Sequence, residues 1–83
     1  GDPPDWVIEI LSTRRGNVER SEKLDDYAKA GIREYWIVNA IDHVVEVYTL
    51  RGTEYVLSAT TDHPQSVTFP GVAVDMNPVW PVR

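Results

Sequence analysis

Two short apolar runs frame a helical pattern in this chain, and that frame restricts the fold more than any other feature. The first run, Asp5-Trp6-Val7-Ile8-Glu9-Ile10-Leu11, is rich in β-branched and aromatic residues and reads as a strand. It is apolar on both faces except at Asp5 and Glu9, so it is expected to be a central strand covered on both sides. The second, Glu34 to Asn39 around Tyr35-Trp36-Ile37-Val38, reads the same way. Between them the period changes. Leu24, Tyr27, Ala28 and Gly31 recur at i, i+3, i+4 and i+7, one stripe of an amphipathic helix. Asn17 is a candidate N-cap and Gly31 a candidate left-handed residue just past the helix end. A strand-helix-strand unit places its two strands parallel, with a right-handed crossover.

The remainder alternates more cleanly. Val44 to Leu50 and Glu54 to Ser58 are separated by Arg51-Gly52-Thr53, which predicts an antiparallel hairpin with one wet face. A short extended piece, Ser66 to Phe69, follows, and the proline-punctuated tail is expected to hold one helical turn near Met76. The expectation is therefore one domain over residues 1–83, of α/β class. Its mixed sheet has a strand-helix-strand crossover followed by an antiparallel meander.

Composition narrows the chemistry. The 83 residues contain no cysteine, which excludes disulfides, thiolate metal sites and cysteine nucleophiles and fits a reducing, cytoplasmic setting. No apolar run approaches the ~20 residues of a membrane helix, so no membrane partner is expected. The formal net charge of −5 argues against a free-standing nucleic-acid-binding module. It weighs less against a metal-dependent enzyme, whose carboxylates a cation partly offsets. Five of the eight basic residues, Arg14, Arg15, Arg20, Lys23 and Lys29, lie between positions 14 and 29.

Glu9 is the residue that composition alone singles out. An acid within an apolar strand needs a partner, a metal or a raised pKa, and pairing with a basic residue is the plainest reading. Lys23 stands four residues before Tyr27, at the border of the helix stripe, where a lysine can lean toward the sheet or simply lay its stem on the surface. Glu19 is placed to pair with it at i, i+4. Arg14, Arg15 and Arg20 are candidates for phosphate contact, or a solvated face. His43 and His63 each stand beside an aspartate in a turn and read as surface residues. Trp6, Tyr35 and Trp36 read as core. Ser12 has no histidine near it to serve as a base.

Taken in order, Pro4-Asp5-Trp6-Val7-Ile8-Glu9-Ile10-Leu11-Ser12, Glu22-Lys23-Leu24, Tyr27-Ala28-Lys29-Ala30-Gly31-Ile32, Glu34-Tyr35-Trp36-Ile37-Val38 and Phe69-Pro70-Gly71-Val72-Ala73-Val74-Asp75 resemble a family of bacterial proteins labelled as restriction endonucleases, within the PD-(D/E)XK nuclease superfamily. The resemblance covers nearly the whole chain and implies a partial restriction-endonuclease-like fold, the C-terminal portion of that domain. It implies hydrolysis of DNA phosphodiester bonds with Mg²⁺ or Mn²⁺, Glu9 as a metal ligand, and Lys23 as the catalytic lysine supplied from the helix. The position two residues after Glu9, where a strand lysine would stand, is Leu11.

The family's metal-binding aspartate is expected upstream of residue 1. Asp5 does not replace it, because four residues of strand separate it from Glu9 by roughly 13 Å, and one Mg²⁺ with ligands at ~2.1 Å cannot span that distance. The chain is thus expected to carry half a site and little activity of its own, and to expose a sheet edge open to a second copy. The alternative is a non-catalytic interaction domain that keeps the nuclease fold. The loop Ser12-Thr13-Arg14-Arg15 departs from the family's usual sequence.

Overall fold

The structure, a computed structural model, describes residues 4–11 and 16–80, with side chains described for 4–11 and 23–80. The elements run β1 (Trp6–Leu11), α1 (Gly16–Lys29), β2 (Glu34–Asn39), β3 (Val44–Arg51) and β4 (Glu54–Thr61). They form one four-stranded sheet in the order β1-β2-β3-β4. β1 pairs parallel with β2, while β2–β3 and β3–β4 are antiparallel. The α/β class, the crossover and the meander expected from the sequence are all present.

Sequence chemistry accounts for the junctions. Gly31 has φ +79°, a left-handed conformation that costs a residue with a Cβ roughly 1–2 kcal/mol. The Gly31 amide donates to the Ala28 carbonyl and the Ile32 amide to the Tyr27 carbonyl, the paired bonds of a Schellman motif. This ends α1 and aims the chain into β2. Between β2 and β3 the Asn39 carboxamide oxygen accepts from the amides of Ile41 and Asp42, both at 3.0 Å, a turn built by an Asn side chain on its own backbone. Gly52, φ +65°, begins the two-residue turn that joins the paired Arg51 and Glu54, as a primed hairpin turn requires.

Four expectations are corrected in detail. β1 is not central: β2 is, with five of its six residues buried, and β1 lies at an edge of the described sheet. Val7, Glu9 and Leu11 are half-buried, whereas Ile8 and Ile10 are 45% and 58% exposed. A run of β-branched residues reports suitability for a pleated strand and does not say which faces are covered. α1 begins at Gly16, which puts Asn17 inside the first turn rather than at the cap. β4 continues to Thr61, pairing Ala59, Thr60 and Thr61 with Val47, Glu46 and Val45 past an irregularity at Val47/Tyr48. These residues look like a loop by polarity, but their backbone extends the ladder. The extended piece Ser66 to Phe69 forms no strand; an isolated bridge joins Gln65 to Ala73.

The sheet divides two environments. Register places Trp6, Trp36, Val38, Val45 and Val47 on one face, where Trp36, Val38, Val45, Val47 and Met76 form a buried cluster joined by Trp6, Val74, Val79 and Trp80. The C-terminal segment therefore supplies that face with its cover, including a helical turn in which the Trp80 amide donates to the Met76 carbonyl at 3.0 Å. His43, half-buried, stacks on Trp80, ring centroids 5.0 Å apart at 8°. His63, paired with Asp62, is exposed as expected.

Glu34 anchors the tail. Its carboxylate is fully buried and accepts from the Trp36 indole at 2.6 Å, the Ser66 hydroxyl at 2.9 Å, and the Val67 and Thr68 amides at 3.1 and 2.8 Å. No described helix is long and apolar enough to cross a membrane.

Candidate active site

The other face of the sheet carries Val7, Glu9 and Leu11 from β1 with Tyr35 and Ile37 from β2, and α1 packs across it. Glu9 sits at the meeting of β1 and α1. The Lys23 ammonium donates to Glu9 Oε2 at 2.6 Å, and the Tyr27 hydroxyl donates to Oε1 at 2.6 Å. Lys23 and Tyr27 are four residues apart, on one face of the helix, so one element delivers both donors to one carboxylate. The Glu9 side chain is 18% exposed and that of Lys23 is 42% exposed. The acid is therefore the more sheltered of the two, and the amine keeps contact with solvent.

The plain reading and the functional reading of Glu9 thus share one contact: the acid in the apolar strand is paired, and its partner is the lysine that the resemblance names. The alternative partner for Lys23, Glu19, has its side chain outside the described residues.

Electrostatics follow from this geometry. Burial raises the Glu9 pKa. The hydrogen bonds from Lys23 and Tyr27, the Lys23 charge and a hydrogen bond from Tyr35 together outweigh that effect and hold it below the ordinary 4.5. Glu9 is therefore ionised at neutral pH. The Tyr27 phenol is shifted above 10 by its bond to Glu9 and by burial. Tyr35 is shifted further upward, by burial first and then by the Glu9 charge.

All four tyrosines of the chain gather here. Tyr27 meets Tyr35 edge-on, centroids 4.9 Å apart, and Tyr35 lies 6.5 Å from Tyr48 and 6.1 Å from Tyr55. The Tyr55 hydroxyl donates to the Ile32 carbonyl at 2.7 Å, tying this cluster to the end of the helix. Burial pushes its pKa up to about 12. Register places Glu46 in the same lateral row as Glu9, two strands across, so their Cα atoms are about 10 Å apart. Tyr48 donates to Glu46 at 3.2 Å.

The site's fit to a divalent cation has two sides. Glu9 supplies hard carboxylate oxygen, the donor Mg²⁺ takes. A carboxylate has about four acceptor sites, and the bonds from Lys23, Tyr27 and Tyr35 leave capacity for a cation. The count of protein ligands is low, because no group of three or more His, Cys, Asp or Glu able to hold a metal occurs among the described residues. Mg²⁺ commonly completes its shell with water and substrate phosphate, so a single protein carboxylate is compatible with part of such a site.

The other sequence candidates separate from this one. Asp5 faces Arg33, Oδ1 to Nε 3.7 Å, with both side chains more than half exposed. It belongs to the surface, in keeping with the reading that it is not Glu9's metal partner. Arg14 and Arg15 lie outside the described residues, as does the Arg20 side chain.

Tyr27 was missed as a site residue because an aromatic on a helix stripe looks like core. The available signal was its position four residues after Lys23. Glu34 was missed because it stands at the mouth of its strand, where an acid passes for solvent-facing.

No curated protein matches the chain. A family model described as "Uma2: Putative restriction endonuclease" matches residues 1–77. The blocks that carry the resemblance therefore fall in one continuous match, and they include both Glu9 and Lys23. The chain belongs to the Uma2 family, whose description points to a nuclease-type function.

Proposed function

We propose that Glu9 and Lys23 are the carboxylate and the lysine of a divalent-metal-dependent endonuclease that hydrolyses phosphodiester bonds of DNA. The observation that carries this reading is the 2.6 Å contact between Lys23 and Glu9, residues separated by 14 positions and brought together by the crossover. A surface lysine with an idle stem would not be expected to reach a sheltered strand acid.

Glu9 is the residue that would hold Mg²⁺ or Mn²⁺. When bound, such an ion polarises the phosphate and lowers the pKa of water. The protein's own residues do the rest. Glu9, kept ionised by its donors, supplies fixed negative charge at one end of the site. Lys23 offers a cation on a half-exposed stem and can exchange its bond to Glu9 for one to a phosphate oxygen or the attacking water, stabilising the charge that builds on the phosphate. In the reaction a water oxygen bonds to phosphorus, one P–O bond breaks, and the leaving oxygen takes up a proton. Arg14, Arg15 and Arg20 are assigned to phosphate contact along the DNA backbone.

One carboxylate at the site favours a second reading, a domain that keeps the fold without the chemistry. Relaxation of supercoiled plasmid by the full-length protein carrying this stretch, in Mg²⁺ or Mn²⁺, separates the two. The nuclease reading expects cleavage abolished by chelator, by Glu9→Gln and by Lys23→Ala, with residues 1–83 alone showing little. Full cleavage by Glu9→Gln overturns it. The proposal extends to assembly: the β1 edge, with Ile8 and Ile10 exposed beside it, would take a second copy by strand pairing.

A further inference from the structure

Tyr27 carries no chemistry in the reading above, yet its hydroxyl bonds the proposed metal-binding acid at 2.6 Å. The geometry points to Tyr27 as a positioning residue for Glu9: it fixes the carboxylate from the helix side so that Lys23 is free to leave it. This inference rests on Glu9 being the metal-binding acid.

The two donors from the helix differ in what they can do. A glutamate side chain has three rotatable bonds, and a single bond to one oxygen leaves the carboxylate free to swing about it. Lys23 is a poor sole anchor, since its four-carbon stem is flexible and its side chain is 42% exposed. A lysine that serves a phosphate or a water must also give up its contact with Glu9 for part of the cycle. Tyr27 has two torsions and a rigid ring, and it bonds the other oxygen at 2.6 Å.

Its ring is held in turn. It stands edge-on against Tyr35 at 83°, and Tyr35 is 1% exposed. Tyr35 contacts Tyr55, whose hydroxyl holds the Ile32 carbonyl just past the helix end. A line of packed aromatics thus leads from β4 through β2 to the helix and ends on Glu9. One donor sits on a long, half-exposed stem and the other on a packed ring, on the same helical face. That division matches the support shell that orients a metal-binding carboxylate.

The test is Tyr27→Phe, which keeps the ring and removes only the hydroxyl. Two quantities are read: rotamer averaging at Glu9, from three-bond couplings across its side chain by NMR, and the affinity for Mn²⁺ alone by calorimetry. The wild type is expected to show one dominant Glu9 rotamer. Tyr27→Phe should show averaging and bind Mn²⁺ about tenfold or more weakly, the usual effect of losing such a support. Lys23→Met should keep the single rotamer, because Tyr27 still holds it.

Unchanged couplings in Tyr27→Phe, or averaging caused only by Lys23→Met, would overturn the proposal. If the wild type binds no Mn²⁺ while the couplings change as expected, the metal reading fails and the positioning of Glu9 by Tyr27 stands. Should Tyr27→Phe not fold, the wild type still decides: a slowly exchanging Tyr27 hydroxyl proton with an Overhauser contact to the Glu9 methylene protons supports the assignment, and a fast-exchanging one overturns it.

Discussion

Replacing Glu34 tests whether the tail is held to the sheet as described. The carboxylate is fully buried and has four donors: the Trp36 indole at 2.6 Å, the Ser66 hydroxyl at 2.9 Å, and the Val67 and Thr68 amides at 3.1 and 2.8 Å. In Glu34→Ala the amides of Val67, an exposed residue, and Thr68, a half-buried one, can turn to water. The Trp36 indole and the Ser66 hydroxyl cannot do so easily, because both residues are buried. Two stranded donors at about 1–3 kcal/mol each, with some loss of packing, predict a destabilisation of about 3–5 kcal/mol. A domain of this length has roughly 4–12 kcal/mol in all, so the alanine variant should be largely unfolded at modest urea.

Glu34→Gln is more discriminating. Its oxygen can serve Ser66, Val67 and Thr68, but its NH₂ then faces the Trp36 N–H, donor against donor. That loss, of a bond to a charged acceptor, is about 1.5–3 kcal/mol. Urea unfolding followed by circular dichroism gives the free energies, and the Trp36 indole proton should move upfield in the glutamine variant. Equal stability of Glu34→Gln and wild type would refute the reasoning, because it would mean that burying the charge costs as much as its bonds return.

Acid should weaken the fold through Glu9. Its pKa is lowered in the folded chain, so its contribution is present above the unfolded value near 4.3 and is lost as pH falls through the folded value. Glu9→Gln should flatten that limb of the stability curve. Alkali should act through the tyrosines: Tyr27, Tyr35 and Tyr55 all have raised values, a contribution present below the unfolded value near 10 and lost as pH rises toward the folded ones. Absorbance at the phenolate band should therefore rise late and coincide with unfolding, and an early rise for three of the four tyrosines would contradict the cluster. Gly31→Ala should cost about 1 kcal/mol by thermal melting: φ is +79° and a Cβ would meet nothing within 4 Å, so strain rather than collision sets the magnitude.

The fold was legible where local chemistry is strong. The change from strand periodicity to helix periodicity located α1, and Gly31 marked its end because few other residues accept that dihedral. Glu9 was legible by the same logic, an acid where the pattern calls for an apolar residue. The status of β1 was not legible, because Ile8 and Ile10 suit a strand whether or not anything covers them. The end of β4 was missed because Thr60 and Thr61 are polar yet paired. Tyr27 and Glu34 were missed for opposite reasons: an aromatic on an apolar stripe hides its hydroxyl, and an acid at a strand's first residue hides its burial. In both cases the deciding fact is a contact between residues distant in sequence, which no local pattern encodes.

The most direct test of the central claim is calorimetric titration of Mn²⁺ into the full-length protein and its Glu9→Gln variant. Binding is expected in the wild type, weakened at least tenfold by Glu9→Gln with the fold unchanged. Identical binding by the two proteins, or none by either up to millimolar Mn²⁺, would mean that the Glu9–Lys23 pair holds β1 to α1 and is not a metal-dependent nuclease site.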